Sequence, residues 1–179
     1  MKLNIFRLFL LILLTSVTVT SFAWNHSIEF GYGLSHDPNN VKYNNSGFLL
    51  SGDMISLKRT PSTFWSMTGS LGQWYSTAPH NKDTTTAALS LALRYYLFKM
   101  SKNIPTYLLG SAGPAYLTNQ RLGTNTQGSH LAIQTNLGLG IEFKNIDLNL
   151  RLVHYSNAGL ASPNQGFNIL YLLSIGYLF

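Results

Sequence analysis

The chain has 179 residues and a formal net charge of +6, and it contains no cysteine, which excludes disulfides, thiol nucleophiles and thiolate metal sites. Charged residues make up only 10% of the chain while aromatic residues reach 13%, a balance unusual for a surface solvated by water alone. The basic residues are scattered, which argues against nucleic-acid binding and favours an anionic membrane surface as partner.

The first 23 residues have the pattern of a secretory signal peptide. Lys2 and Arg7 accompany an apolar run that ends in the small-x-small pattern of Ser21 and Ala23. A single-pass membrane anchor is the alternative, but the apolar stretch is short, breaks into Thr and Ser, and leads directly into a strand-like segment. We therefore expect export and a single mature domain, residues 24–179, whose net charge falls from +6 to +4 when Lys2 and Arg7 leave.

The mature chain alternates apolar residues with polar or small ones at a period of two, over segments of roughly ten residues. Eight such segments are predicted, at about 25–35, 42–56, 64–76, 85–98, 106–118, 130–143, 146–156 and 167–179. An even number of such strands, each with one apolar face and one small or polar face, predicts an all-β fold. The expected architecture is an eight-stranded antiparallel transmembrane β-barrel.

A soluble barrel or sandwich shows the same period with the faces inverted. The membrane is favoured because Gly, Ser and Ala are frequent on the polar faces and aromatic residues such as Trp65 and Tyr75 stand at strand ends. The final stretch, YLLSIGYLF, also resembles the C-terminal signal of bacterial outer-membrane barrels. That resemblance implies periplasmic termini, short turns near 57–63, 99–105 and 144–145, and longer outward connections near 36–41, 77–83, 119–129 and 157–166.

Two further expectations concern charged residues and histidines. Glu29, Arg94, Glu142 and Arg151 fall on the inward faces and should pair across the lumen, because an unpaired buried charge is costly. The histidines, at positions 26, 36, 80, 130 and 154, lack ligand-like spacing, so the sequence predicts no metal and no other cofactor.

His154 and Ser156 lie on the apolar, lipid-facing row of the seventh segment, where ionisable residues are rare unless they have a task. In one interpretation the pair marks the level at which the strand reaches the lipid headgroups. In the other, His154 is the general base for a Ser156 nucleophile acting on a lipid ester. Residue types and spacing alone leave both open.

The stretch HYSNAGLASPNQGFN, residues 154–168, resembles the C-terminal motif of the lipid A 3-O-deacylase family (PagL-like), outer-membrane enzymes that remove the acyl chain at position 3 of lipid A. GSAGPAYLTNQRLG and NLGLGIEF extend a looser likeness over most of the mature chain. The resemblance implies that Ser156 is the nucleophile and His154 its base. It also implies an oxyanion hole from the Asn157 side chain and backbone N–H groups near Gly159, for which a tight turn without catalytic function is the alternative.

The chain departs from the family pattern at Asn168, where the family places a Glu that orients the His. An amide can accept the ring N–H bond but supplies no charge. If the C-terminal aromatic row runs through Tyr171, Ile169 and Phe167, Asn168 would also point inward, and a bulge between 168 and 171 is needed to bring it to His154.

The resemblance therefore implies an outer-membrane esterase of a Gram-negative cell that hydrolyses the 3-position acyl ester of lipid A. Lipopolysaccharide would be its substrate and outer-membrane lipids its surroundings. One alternative is a catalytically silent barrel with a structural or host-interaction role, marked by Asn168; another is an esterase for a different lipid, such as a phospholipid. A homodimer is compatible with the sequence, which does not define the oligomeric state.

Overall fold

The computed structural model describes residues 26–37, 40–79, 83–101 and 104–179. The predicted signal peptide, residues 1–23, lies outside these ranges, as do the start of the mature chain at residue 24 and His80. Over the described part of the chain, no helix has the length and hydropathy that crossing a membrane as a helix requires.

Eight long strands of the described chain form one closed antiparallel barrel. Between the fifth and sixth of them lies an additional two-stranded hairpin, β6–β7, which was not predicted. The strands are β1 Ser27–Asp37, β2 Asn40–Arg59, β3 Thr63–Ser76, β4 Thr84–Ser101, β5 Ile104–Leu117, β6 Arg121–Leu122, β7 Asn125–Thr126, β8 Leu131–Phe143, β9 Ile146–Ser156 and β10 Phe167–Leu178. Because β10 pairs with β1, no long strand has a free edge, and the predicted eight-stranded barrel is confirmed.

The two faces of each strand separate as the alternation predicts, since successive side chains point to opposite sides of a sheet. On β9, Leu148, Leu150 and Leu152 are exposed on the outside, whereas Asn149 and Arg151 are buried inside. The C-terminal aromatic row also faces outward along β10. The outer wall is therefore a continuous apolar surface.

The half of the barrel interior nearest the chain termini contains a network of charged side chains. Arg94 Nη2 lies 2.8 Å from a carboxylate oxygen of Glu29 and 3.3 Å from one of Asp147, and Arg94 Nη1 lies 3.8 Å from Glu142. The second arginine of the network, Arg151, also pairs with Glu29. The predicted pairing of Glu29, Arg94, Glu142 and Arg151 across the lumen is confirmed.

The other half of the interior, toward the long connections, is apolar and aromatic. Tyr155 stacks on Phe167 with ring centroids 4.8 Å apart, and Trp74 meets Tyr155 edge-on at 6.3 Å. We call this group the loop-end cluster; its buried members are Leu49, Trp74, Ala88, Ala115, Leu117, Leu122, Ala132, Val153, Tyr155, Phe167, Ile169 and Leu172. The expectation of a uniformly small or polar inner face is therefore wrong here, because large side chains from facing strands fill the lumen together.

The predicted connection near residues 36–41 is also wrong in length. β1 extends to Asp37 and β2 begins at Asn40, because the two strands stay paired up to Asp37 and Asn40 across a register shift. The longer connections at this end of the barrel are residues 77–83, residues 118–130 with the β6–β7 hairpin, and residues 157–166.

Candidate active site

The candidate site lies where β9 and β10 pair, at the loop end of the outer wall. His154 of β9 stands directly opposite Asn168 of β10 in the antiparallel register. The register shifts between Ile169 and Leu172, so Leu170 and Tyr171 both face outward and the inside-outside alternation reverses. This bulge meets the condition stated from the sequence for bringing Asn168 beside His154, and it turns Asn168 onto the same face as His154.

A short hydrogen bond joins these two side chains. His154 Nδ1 lies 2.6 Å from Asn168 Oδ1. Because an amide oxygen can only accept, Nδ1 carries the proton and Nε2 of the neutral ring keeps its lone pair. The contact therefore selects the tautomer that a general base needs, although the amide offers no negative charge to stabilise an imidazolium.

Ser156 is two residues further along the same outward row and is half-buried, like His154. Two residues of strand separate their Cα atoms by roughly 7 Å, so the two side chains must lean toward each other to form a bond. Among the described residues, the Ser156 hydroxyl has no hydrogen-bond partner, and it is free to rotate toward Nε2. Catalytic hydrogen bonds are often long before substrate binds.

Gly166 packs against both residues of the pair. Its φ is +59°, and a Cβ added there would lie 3.0 Å from His154 Cε1 and 3.6 Å from Ser156 Cβ. Only glycine combines this backbone conformation with so close an approach. The imidazole ring of His154 therefore packs directly against the backbone of Gly166.

Two of the oxyanion donors expected from the resemblance, the Asn157 side chain and the Gly159 N–H, are bonded within the loop after β9. The Asn157 side chain is buried; its Nδ2 donates to the carbonyls of Ala161 at 2.7 Å and Pro163 at 3.3 Å. The Gly159 N–H donates to Asn157 Oδ1 at 3.0 Å. Both bonds stabilise the conformation of the loop, and those of the buried Asn157 amide also satisfy its polar atoms.

The surroundings of the pair are apolar and suit a hydrocarbon chain. Leu152 precedes His154 on the outward row and stands opposite Leu137 of β8, and both side chains are exposed. Leu170 and Tyr171 are exposed on the other side, next to the bulge. Among the residues described, no group of three or more His, Cys, Asp or Glu side chains could hold a metal ion.

This combination of a closed barrel with a His and a Ser on its outer wall agrees with the comparison to family models. The model described as lipid A 3-O-deacylase (PagL) matches residues 51–177, which include the whole of the candidate site. The chain belongs to the PagL family.

Two PagL proteins are similar to this chain. Lipid A deacylase PagL of Pseudomonas aeruginosa is 35% identical over 65 residues, a match that spans 36% of this chain and only 38% of that relative. The crystal structure of the outer membrane enzyme PagL superposes with a TM-score of 0.64 at 22% identity, covering 84% of this chain and 98% of that one. The superposition shows a shared fold.

One residue of the site has no recognisable signal in the sequence. Gln127 follows the β6–β7 hairpin, and its buried side chain contacts the backbone on both sides of Ser156. The PagL-like motif begins at His154, so it gave no signal for a residue 27 positions before its start. A polar residue in a predicted loop reads as solvent-exposed, and only the folded chain shows it buried.

Proposed function

We propose that this member of the PagL family is a lipid A 3-O-deacylase of the bacterial outer membrane, with lipopolysaccharide as its substrate. The observation that carries the proposal is the hydrogen bond of 2.6 Å from His154 Nδ1 to Asn168 Oδ1, beside a Ser156 hydroxyl that is free to be activated. Family membership supplies the reaction class, and the site supplies residues able to perform it.

The position of the pair supports an acyl chain in a lipid leaflet as the group removed. The apolar outer wall suits a hydrocarbon environment, in which only a closed barrel satisfies every strand edge. His154 and Ser156 face this environment at the end of the barrel that carries the long connections, the end expected to face outward. The acyl chain of a lipid in the outer leaflet would then run along Leu152 and Leu170, with its ester at the level of the pair.

In the proposed first half-reaction, His154 Nε2 accepts the Ser156 hydroxyl proton while the Ser156 Oγ forms a bond to the ester carbonyl carbon. The tetrahedral intermediate collapses when the bond from that carbon to the sugar 3-oxygen breaks. The sugar oxygen takes the proton from His154 and leaves as a hydroxyl. Ser156 retains the acyl group as an ester.

In the second half-reaction, water attacks the acyl-Ser156 ester and gives its proton to His154. The imidazolium then returns that proton to the Ser156 oxygen, and the fatty acid departs. Since the Asn157 side chain and the Gly159 N–H are bonded within the loop, we assign oxyanion stabilisation to the N–H of Ala158, the exposed residue between them.

The proposal is tested by mass spectrometry of lipid A from Gram-negative cells that express the protein. We expect the wild type to remove the acyl chain at position 3 and Ser156→Ala to remove none, a loss of at least about 10³-fold. The Ser156→Ala barrel should fold normally, because the hydroxyl makes no bond within the described protein. Unchanged lipid A with the wild type, or equal deacylation by Ser156→Ala, would overturn the proposal, and a shortened phospholipid would redirect it to another lipid.

A catalytically silent barrel is the second candidate, and the uncharged Asn168 is the observation that favours it. Replacing Asn168 with Glu restores a charge-assisted bond, which exceeds a neutral one by roughly 1.4 kcal/mol, or about tenfold in rate. We expect Asn168→Glu to raise the deacylation rate by about that factor in a detergent-micelle assay. If neither form acts on any lipid ester, the silent barrel becomes the better interpretation.

A further inference from the structure

The β6–β7 hairpin and the residues after it are fastened to the loop that follows Ser156. Thr126 and Gln165 exchange two hydrogen bonds, one from the Thr126 N–H to Gln165 Oε1 at 2.8 Å and one from the Gln165 N–H to the Thr126 carbonyl at 3.2 Å. The Gly128 N–H donates to the Pro163 carbonyl at 2.5 Å. The hairpin, which is not part of the barrel wall, is thus joined to the loop that connects Ser156 to the strand of Asn168.

Gln127 lies between Thr126 and Gly128, and its side chain forms hydrogen bonds to the backbone on both sides of Ser156. Its Nε2 donates to the carbonyl of Tyr155 at 3.1 Å, and its Oε1 accepts the N–H of Asn157 at 3.2 Å, an N–H that Asn164 Oδ1 also accepts at 3.0 Å. One side chain therefore binds the residue before Ser156 and the residue after it. With 1% of its surface exposed, Gln127 is shielded from water that would compete for these bonds.

Ser156 needs such support because it is the last residue of β9. It pairs with Ile133 of β8, and beyond it the chain leaves the sheet for the loop at 157–166. Strand ends fray when the ladder no longer holds them, and the Cα–Cβ direction of a serine follows the orientation of its two flanking peptides. A displacement of 1 Å at a reacting group can cost about 10²-fold in rate.

We propose that Gln127 is a positioning residue for the nucleophile, holding the peptides on both sides of Ser156 so that its hydroxyl is aimed at His154 and the ester. The inference rests on the proposed function of Ser156. Gln127 acts through the backbone and touches neither substrate nor the reacting atoms. Its loss should therefore lower kcat and leave KM nearly unchanged.

The test compares Gln127→Met with a matched control, Gln134→Met. Gln134 is the same residue type with the same 1% exposure, and it also forms two side-chain hydrogen bonds, from Ser70 Oγ at 3.1 Å and to the Tyr155 hydroxyl at 2.7 Å. These bonds lie inside the lumen and do not involve the peptides beside Ser156. The two variants thus lose equal numbers of buried hydrogen bonds. Only Gln127→Met loses the bonds to the peptides on both sides of Ser156.

Two measurements on the refolded full-length barrel decide the matter: kcat and KM for micellar lipid A, and the rate at which a fluorophosphonate probe labels Ser156. We expect Gln127→Met to lower kcat and the labelling rate by about 10- to 100-fold, with KM within about twofold. Gln134→Met should keep both rates within about threefold, and Gln127→Glu, which retains the acceptor for Asn157, should fall between. Equal losses in the two Met variants, unchanged rates in Gln127→Met, or an effect on KM alone would overturn the inference.

The labelling rate separates this inference from the proposed substrate. If the wild type is labelled at Ser156 but leaves lipid A intact, the substrate is wrong and the ratio of labelling rates still decides the role of Gln127. If the wild type is neither labelled nor active, both the nucleophile and its positioning residue are refuted. Heat-modifiable migration in electrophoresis confirms that each compared variant is folded.

Discussion

The two halves of the barrel interior are built from different chemistry. Near the termini, Arg94 and Arg151 lie among carboxylates, and the aromatic rings beside Arg94, those of Phe64 and Tyr107, lie against its guanidinium. At the loop end, Trp74, Tyr155 and Phe167 fill the same width with packed rings. Tyr155 belongs to the loop-end cluster and also lies between His154 and Ser156 in the chain. The candidate site is therefore on the outer side of the wall whose inner side packs against the loop-end cluster. The charged half holds the strands together at a distance from it.

The inside of this small barrel thus serves two tasks. Ion pairs fix which strands face one another, since a carboxylate with no partner in the lumen would be costly. Close-packed rings hold the wall rigid, because dense packing leaves few alternative side-chain arrangements. A site on the outer wall needs rigid packing on the inner side of the strands that carry it. Substitutions in the two halves should therefore differ in their effect on activity.

The largest combined effect is expected for Trp74→Ala in the loop-end cluster. The indole is fully buried, donates to Thr86 Oγ1 at 3.2 Å and packs against Tyr155. Its removal should cost about 3–5 kcal/mol of unfolding free energy and leave a cavity directly behind β9. Because that cavity loosens the wall at the site, we also expect deacylation per folded molecule to fall by about tenfold or more. Urea unfolding and a lipid A assay on the folded fraction measure the two effects.

Arg94→Met should lower the unfolding free energy of the barrel by a similar amount and leave the deacylation activity nearly unchanged. The change leaves the carboxylates of Glu29, Asp53 and Asp147 without the guanidinium that they share, at a cost of about 3–5 kcal/mol. Deacylation per folded molecule should stay within about twofold of the wild type, since none of these groups contacts the candidate site. If Arg94→Met and Trp74→Ala reduce the specific activity equally, the division of labour between the two halves is refuted.

The barrel could be predicted because apolar residues alternate with polar or small ones along the strands of its wall. On β8 and β9 nearly every second residue is apolar, and the structure turns those residues outward without exception from Ile146 to Leu152. The bulge in β10 could be stated from the sequence only as a condition. Asn168 and Tyr171 could share the outer face only if the alternation changed phase between them, and the register shift between Ile169 and Leu172 makes that change.

The loop contacts could not be predicted, because they join residues that are distant in the sequence and carry no periodic signal. Nothing in the order of residues 119–130 distinguishes the buried Gln127 from an exposed one. Asn157 is the converse case: the motif suggested a donor for substrate, whereas the folded loop uses its amide for Ala161 and Pro163. Hydrogen bonds of this kind depend on where two loops meet, and that is settled by the tertiary structure.

The smallest effect is expected at Gly166, where contact with the site can be separated from backbone strain. Alanine at its positive φ costs about 1 kcal/mol, and the new Cβ would lie 3.0 Å from His154 Cε1, so the ring must shift by a few tenths of an ångström. We expect Gly166→Ala to lower deacylation by about three- to tenfold. Gly159→Ala is the matched control: Gly159 also has a positive φ, but no atom would lie within 4 Å of its Cβ. The control should lose a similar amount of stability and less activity in the same urea and lipid A assays. Equal activity losses would mean that strain in the loop, and not the position of the His154 ring, limits the reaction.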